Sequence, residues 1–279
     1  MYPVFLEIGG FTITTFGVMM FLSFVVGAWV LSIQLERRGF DRDVAWDVLF
    51  WIAIGGIVGA KLYYLALHWQ DLVADPVREL TGRGGLVWYG GLIGGVLAYY
   101  WQVRRRGLPV APAFDATAPA LMLSIAIGRV GCFLVGDDYG LPTDSWVGVA
   151  FPNGAPPSTA GYLRSIGADV PAQVPDSAVL AVHPTQLYEV GLALILFAVL
   201  WKVSPRLRQP GRLFGLFLAL YAVERFLIEF VRAKDDRFVL GLSTSQLMSV
   251  LLVGVAAYLW TRKSASHPAA VAAGASAAK

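Results

Sequence analysis

Apolar runs of about 20 residues, the length that carries an α-helix across a bilayer, recur near 12–34, 45–67, 86–103, 116–135, 185–202, 213–232 and 243–261. Polar segments separate them. The pattern predicts an all-α, polytopic membrane protein with seven transmembrane helices. Arg37, Arg38 and Arg42 follow the first run, and Arg104, Arg105 and Arg106 the third. Lys202, Arg206, Arg208 and Arg212 follow the fifth, and Arg262 and Lys263 the last. The alternate connections hold fewer bases and mix them with acids, as where Arg78 and Arg83 stand beside Asp71, Asp75 and Glu79. After the sixth run, Arg232, Lys234 and Arg237 are balanced by Asp235 and Asp236. Lys and Arg favour cytoplasmic loops, so the N-terminus is expected outside and the C-terminus in the cytoplasm.

That orientation puts residues 136–183 on the outer side. Rich in Gly, Pro, Ser and Ala, with turn signals at Asn153-Gly154 and Pro156-Pro157, they predict a small irregular head or lid. The expected organisation is one membrane domain, 1–263, that includes this periplasmic head. The Ala- and Ser-rich segment 264–279 is expected to be a disordered cytoplasmic tail.

Composition agrees with a membrane chain. Charged residues make up 15% of it, against about 25% in soluble domains. A net charge of +3 is too small to point to nucleic acid, and topology accounts for the basic residues. One cysteine excludes an internal disulfide framework and a cysteine-based metal cluster. Residues 1–10 contain Glu7 and no Lys or Arg, unlike the basic start of a cleavable signal peptide.

The informative residues are the polar ones inside apolar runs. Arg129 lies in the fourth run, within Gly128–Gly140, which also carries Cys132, Asp137 and Asp138. An arginine at that depth costs about 2.5–3.5 kcal/mol or more unless an anion meets it. Glu189 lies a turn inside the fifth run, after His183 and Pro184. Tyr221, Arg225, Glu229 and Arg232 recur at helical spacing on one face of the sixth. Two readings fit these charges. Arg225 with Glu229, and Arg129 with Asp137 or Glu189, could serve as ion pairs between helices; or the arginines hold an anionic headgroup, whose phosphate suits a planar fork of donors.

Other positions carry a plain alternative beside a functional one. Lys61 either reaches up to the headgroups or binds an anion. Tyr89 fits an interfacial aromatic belt. Gly90, Gly91, Gly94 and Gly95 allow close approach of a backbone or a ligand. Asp115 is expected to cap the fourth helix, and Cys132 to be a small buried apolar residue.

The run Gly128-Arg129-x-Gly131-x-Phe133-x-x-Gly136-x-x-x-Gly140 resembles the signature of the bacterial prolipoprotein diacylglyceryl transferases. Tyr89–Gly94, His183–Glu189, Tyr221-x-x-x-Arg225-x-x-x-Glu229 and Ser245-Gln246-x-x-Ser249 follow in the family's order. The resemblance covers the chain up to the tail. It implies an enzyme of the bacterial inner membrane, with its site toward the periplasm, that moves the diacylglyceryl group of phosphatidylglycerol onto the lipobox cysteine of a prolipoprotein. Glycerol phosphate is released. No cofactor or metal is implied, and the partners are phosphatidylglycerol, the prolipoprotein signal peptide and membrane lipid. The implied catalytic set is Arg129, Arg225, Glu229, Tyr89, His183 and Asp137. The implied lipid-binding set is Arg129, Arg225, Tyr221, Gly90, Gly91, Gly140 and Lys61.

The chain departs from the family's pattern at several places. Cys132 and Val135 stand where the family has Asn, and Asp137 where it has Glu. Tyr89 replaces a His, Phe16 a Tyr and Lys61 an Arg. A paralogue with another acceptor, or a non-catalytic accessory protein that binds anionic lipid, would keep the same arginines.

Overall fold

A computed structural model describes residues 1–82, 85–233, 237–239 and 241–262. The expected tail, 264–279, lies outside the described residues, as do Arg83 and Lys234, Asp235 and Asp236. The elements follow the chain as β1 (Val4–Ile8), β2 (Phe11–Thr14), α1 (Thr15–Arg37), α2 (Val44–Leu67), α3 (Trp69–Ala74) and α4 (Pro76–Thr81). Then come α5 (Trp88–Arg105), α6 (Val110–Val135), β3 (Val149–Ala150), α7 (Ala160–Ser165) and β4 (Ala181–Val182). The last are α8 (Thr185–Val203), α9 (Arg212–Ile228), β5 (Arg237–Val239), β6 (Leu242–Ser243) and α10 (Thr244–Thr261). The strands form separate antiparallel pairs, β1–β2, β3–β4 and β5–β6.

A helix stands at each apolar run read from the sequence. Of these, α1, α2, α6, α8 and α10 are long and apolar enough to cross a membrane. The protein is therefore a multi-pass, predominantly helical membrane protein. By that measure α5 and α9 do not qualify: α5 is diluted by Gly, Tyr and Trp and ends in Arg104 and Arg105, and α9 is 17 residues long.

The chain divides into two compact units, residues 1–27 with 115–279, and residues 28–114. In the smaller unit α2 packs on α5 through glycines. A Cβ on Gly55 would sit 2.7 Å from the Gly94 carbonyl oxygen, and one on Gly59 would sit 2.9 Å from the Gly94 Cα. These residues let two backbones touch where there is no water to drive association.

The larger unit has two cores. One joins α6, α8, α9 and α10 around Ala118, Met122, Leu200, Leu213 and Phe217. The other lies in the segment between α6 and α8, where Tyr139, Phe151, Leu163 and Val182 are buried together. The expected irregular head is thus a small packed body with its own apolar centre.

Three local details differ from the sequence reading. Residues 4–14 form a hairpin, turned by Gly9 and Gly10 at φ 56° and 81°, so the first helix begins at Thr15 and not near residue 12. Positive φ at both turn positions is what a tight hairpin demands and glycine supplies. At the other end, α9 stops at Ile228 and leaves Glu229 as its C-cap, where the apolar pattern ran on to 232. Finally, α6 starts at Val110, so Asp115 lies inside it. Its buried carboxylate accepts hydrogen bonds from the Gly211 and Phe214 amides, each at 2.8 Å. Asp115 therefore caps α9, satisfying two of the amides that a helix start leaves without partners.

Removing that cap strands buried amides, at about 1–3 kcal/mol for each unsatisfied group. Asp115→Ala is expected to lower the thermal unfolding midpoint of the detergent-purified protein by several degrees. An unchanged midpoint would show that the cap carries no stability.

Candidate active site

The larger unit holds a chain of alternating charges. Glu189, one turn into α8, is buried with its side chain 3% exposed. One carboxylate oxygen meets Arg129 Nε at 2.6 Å and the other meets Arg225 Nη1 at 3.5 Å. Arg225 Nη2 reaches Glu229 at 2.8 Å and donates to the Ser245 hydroxyl at 3.0 Å. Arg129 Nη1 reaches Asp138 at 2.9 Å, and the second oxygen of Asp138 pairs with Arg232. The order is Glu229, Arg225, Glu189, Arg129, Asp138, Arg232.

Local structure delivers each member. The i, i+4 spacing on α9 puts Arg225 beside Glu229. Asp138 sits just past α6 in the left-handed region, at φ 56°, a conformation open to Asp more than to most residues. The next turn of chain is held by Gly140, whose amide donates to the His183 carbonyl at 2.8 Å. A Cβ on Gly140 would meet the Val231 carbonyl oxygen at 2.6 Å and the His183 Cβ at 2.8 Å. This close approach bridges Gly140 to Arg232 and so brings Asp138 to the Arg232 guanidinium. On α10, Ser243 and Gln246 form a reciprocal capping box that fixes the first turn and presents Ser245 to Arg225.

The ion pairs expected from sequence, Arg225 with Glu229 and Arg129 with Glu189, are present. The alternative partner named for Arg129 was Asp137, and the structure puts Asp138 there. Burial raises the Asp137 carboxyl above its ordinary value, against the lowering effect of a hydrogen bond with Cys132. Its backbone carbonyl accepts from Gln186. Burial also pushes Asp138 upward, but Arg232 and Arg129 outweigh that and hold it below the ordinary carboxylate value.

The other residues read from sequence are distributed more widely. His183 Nδ1 lies 3.1 Å from the Tyr188 hydroxyl. Tyr221 stacks on Phe217 at 5.9 Å in the apolar core of the unit. Tyr89, Gly90, Gly91 and Lys61 belong to the smaller unit. There Tyr89 is 43% exposed and lies edge-on to Trp88. Lys61 donates to the Gly82 carbonyl at 3.1 Å and lies over the Tyr64 ring. Gly90 and Gly91 face the α2 backbone, Gly90 at Gly59 and Gly91 at Gly56.

Sequence reasoning gave no role to Asp138, Arg232 as its partner, or Ser245 as a ligand of Arg225. A signal for the first two was present: an acid and a base just beyond two helices that already carried in-membrane arginines.

Among the described residues, Cys132, Asp137 and Asp138 could offer one ligand atom each within 4.8 Å. Both Asp138 oxygens are engaged by guanidinium groups, and Arg129 Nη1 lies 3.8 Å from the Cys132 sulfur. That donor set suits a cation poorly. It suits an anion better, because a guanidinium has five donors and the ion pairs leave some of them unused.

Asp138 is ionised in these pairs, and its value is lowered in the folded state. Its contribution to stability is complete above the unfolded value of about 3.9 and is lost as pH falls through the lower folded value. Asp138→Asn is expected to reduce the thermal midpoint at pH 7, with the deficit closing below about pH 4. A deficit independent of pH would remove the ion pairs as its cause.

Comparison with known proteins bears on the same region. The family model described as prolipoprotein diacylglyceryl transferase matches residues 3–262. A phosphatidylglycerol–prolipoprotein diacylglyceryl transferase of Pseudomonas paraeruginosa is 31% identical, over 96% of this chain and 97% of its own. One from Chromohalobacter salexigens is 32% identical, over 94% and 92%, and one from Clostridium tetani 30% identical, over 91% and 96%.

Proposed function

The chain belongs to the prolipoprotein diacylglyceryl transferase family, and from that membership we propose that it transfers the diacylglyceryl group of phosphatidylglycerol to the lipobox cysteine of prolipoproteins. The observation that carries the reading is the pair Arg129 and Arg225, two five-donor guanidinium groups brought together on the buried Glu189. Such a pair can receive a phosphate of a lipid lying in the same membrane.

The chemistry follows from what must move. The acceptor sulfur, as thiolate, attacks the diacylglyceryl carbon that carries the phosphate ester. A C–S bond forms, the C–O bond breaks, and its electron pair leaves on the phosphate oxygen of glycerol phosphate. Charge grows on that phosphate in the transition state, and donors already fixed in place stabilise it without reorganisation. Arg129 and Arg225 take that role, with Glu229 and Ser245 holding Arg225 in position. The thiol proton, from a group with an ordinary value near 8.5, passes to a base; Tyr89, His183, Asp137 and Glu229 are the candidates. Gly140, Tyr221, Lys61, Gly90 and Gly91 are proposed to line the lipid path.

The membrane arrangement that goes with this reading has α5 and α9 crossing as well, for seven spans in the bacterial inner membrane. The N-terminus lies outside, and the arginines sit toward the periplasmic face, where exported prolipoproteins arrive. Alternation of the basic connections along the chain supports it.

A host depleted of its own transferase tests the activity. Expression of this chain is expected to restore growth and diacylglyceryl-modified lipoprotein. Correct insertion and phosphatidylglycerol binding without modified lipoprotein would replace this reading with a non-catalytic lipid-binding role. In the same assay, Arg129→Ala and Arg225→Ala are each expected to lower transfer by about 100-fold or more, the usual cost of losing such a donor. Full activity in either would remove it from the phosphate site.

Tyr89 stands where the family has a histidine. A phenol, with an ordinary value near 10, is a weaker base at neutral pH. Tyr89→His is therefore expected to keep or raise the transfer rate if Tyr89 occupies the base's position, and a large loss would show instead that the site is rebuilt around the phenol.

A further inference from the structure

A cavity of about 150 Å³ lies against the outer end of the charge chain, lined by Asp138, Tyr139, Pro156, Tyr162, Arg232 and Ala233. It shares Asp138 and Arg232 with that chain. Its walls are fixed by packing. Tyr139 stacks on Phe151 at 5.3 Å, and its hydroxyl donates to the Pro156 carbonyl at 3.0 Å. Tyr162 lies edge-on to Tyr139. The Arg232 side chain is 7% exposed, so a fully charged donor is held at the wall with little access to water.

We infer that this cavity receives the glyceryl end of the phosphatidylglycerol headgroup and reads its two hydroxyls; the assignment rests on the function proposed above. The size agrees. The volume is several times the roughly 10–15 Å³ that one water needs on the same measure, so it admits the three carbons and two oxygens of the headgroup beyond the phosphate ester. The chemistry agrees as well. Arg232 and the Tyr162 hydroxyl donate, while Asp138 accepts through lone pairs that its two arginines leave open. Among the described residues the Tyr162 hydroxyl has no hydrogen-bond partner in the protein. An ammonium headgroup would instead meet the buried Arg232 cation and be disfavoured.

The geometry also orders the lipid. Arg129 and Arg225 stand within helices, and Asp138 and Arg232 just beyond helix ends. A phosphate on the first pair directs its glyceryl end toward the packed segment between α6 and α8, and its acyl chains the other way. On transfer, the group seated in the cavity is the one that departs.

The test uses the full-length protein in lipid nanodiscs and compares phosphatidylglycerol with phosphatidylmethanol of the same acyl chains. Both carry one negative charge, and only the first carries the diol. Wild type is expected to bind phosphatidylglycerol about tenfold more tightly, within the range for one or two net hydrogen bonds. Tyr162→Phe, which keeps the ring, and Ala233→Leu, which fills the space, are expected to erase most of that preference while phosphatidylmethanol binds as before. In the transfer assay Tyr162→Phe should raise KM for phosphatidylglycerol more than it lowers kcat. Equal binding of the two lipids by wild type, or a preference intact in both variants, would overturn the assignment. A preference that these variants remove, in a protein that transfers nothing, would support the cavity's role and refute only the proposed reaction.

Discussion

Glu189 is the residue on which the larger unit's chemistry depends. A carboxylate almost without exposure would be very costly alone; here two arginines from different helices converge on it, one on each oxygen. Removing one partner of such a buried pair costs more than the pair itself contributes, because the other charge is left stranded. The arrangement thus binds α6, α8 and α9 to one another and holds Arg129 and Arg225 close together. Each guanidinium is held between two acids, Arg129 by Glu189 and Asp138 and Arg225 by Glu189 and Glu229.

Much of this was legible because the membrane penalises exceptions. Arg129, Glu189, Arg225 and Glu229 stand out in apolar runs, and their depth limits the partners available to them. Arg232 was read only as part of the sixth run's polar face, and Asp138 had no role, because just beyond a helix end an acid is ordinary. Their pairing depends on the chain path at Gly140, a tertiary contact with no local signature. Asp115 shows the same limit. An acid near a helix start reads as that helix's own cap, and only the fold reveals that it serves α9, 96 positions away. The hairpin before α1 was hidden by its composition, since strands with many apolar residues continue smoothly into an apolar helix. Gly9 and Gly10 were the available clue.

The smaller unit follows a different logic. Gly55, Gly59 and Gly94 let α2 and α5 meet backbone to backbone, and large apolar side chains such as Phe50, Ile57, Leu62 and Leu97 are exposed on the same helices. Tyr89 and Lys61 lie on this unit, and both positions differ from the family's residues. On the proposed reading the guanidinium pair Arg129 and Arg225 is kept, while Lys61 replaces one guanidinium of the lipid-binding set and Tyr89 an imidazole at the base's position; a lysine does not reproduce the planar fork it replaces.

The Asp115 cap has a geometric consequence beyond stability. It ties α6 to the first turn of α9 at Gly211, and from that tie Arg129 and Arg225 each lie fourteen residues along their own helix. At 1.5 Å per residue both have risen about 21 Å. A common origin and equal rise bring the two guanidinium groups to the same height above that tie, where Glu189 spans them. A single carboxylate fourteen residues down α6 thus sets the register at which both arginines meet Glu189.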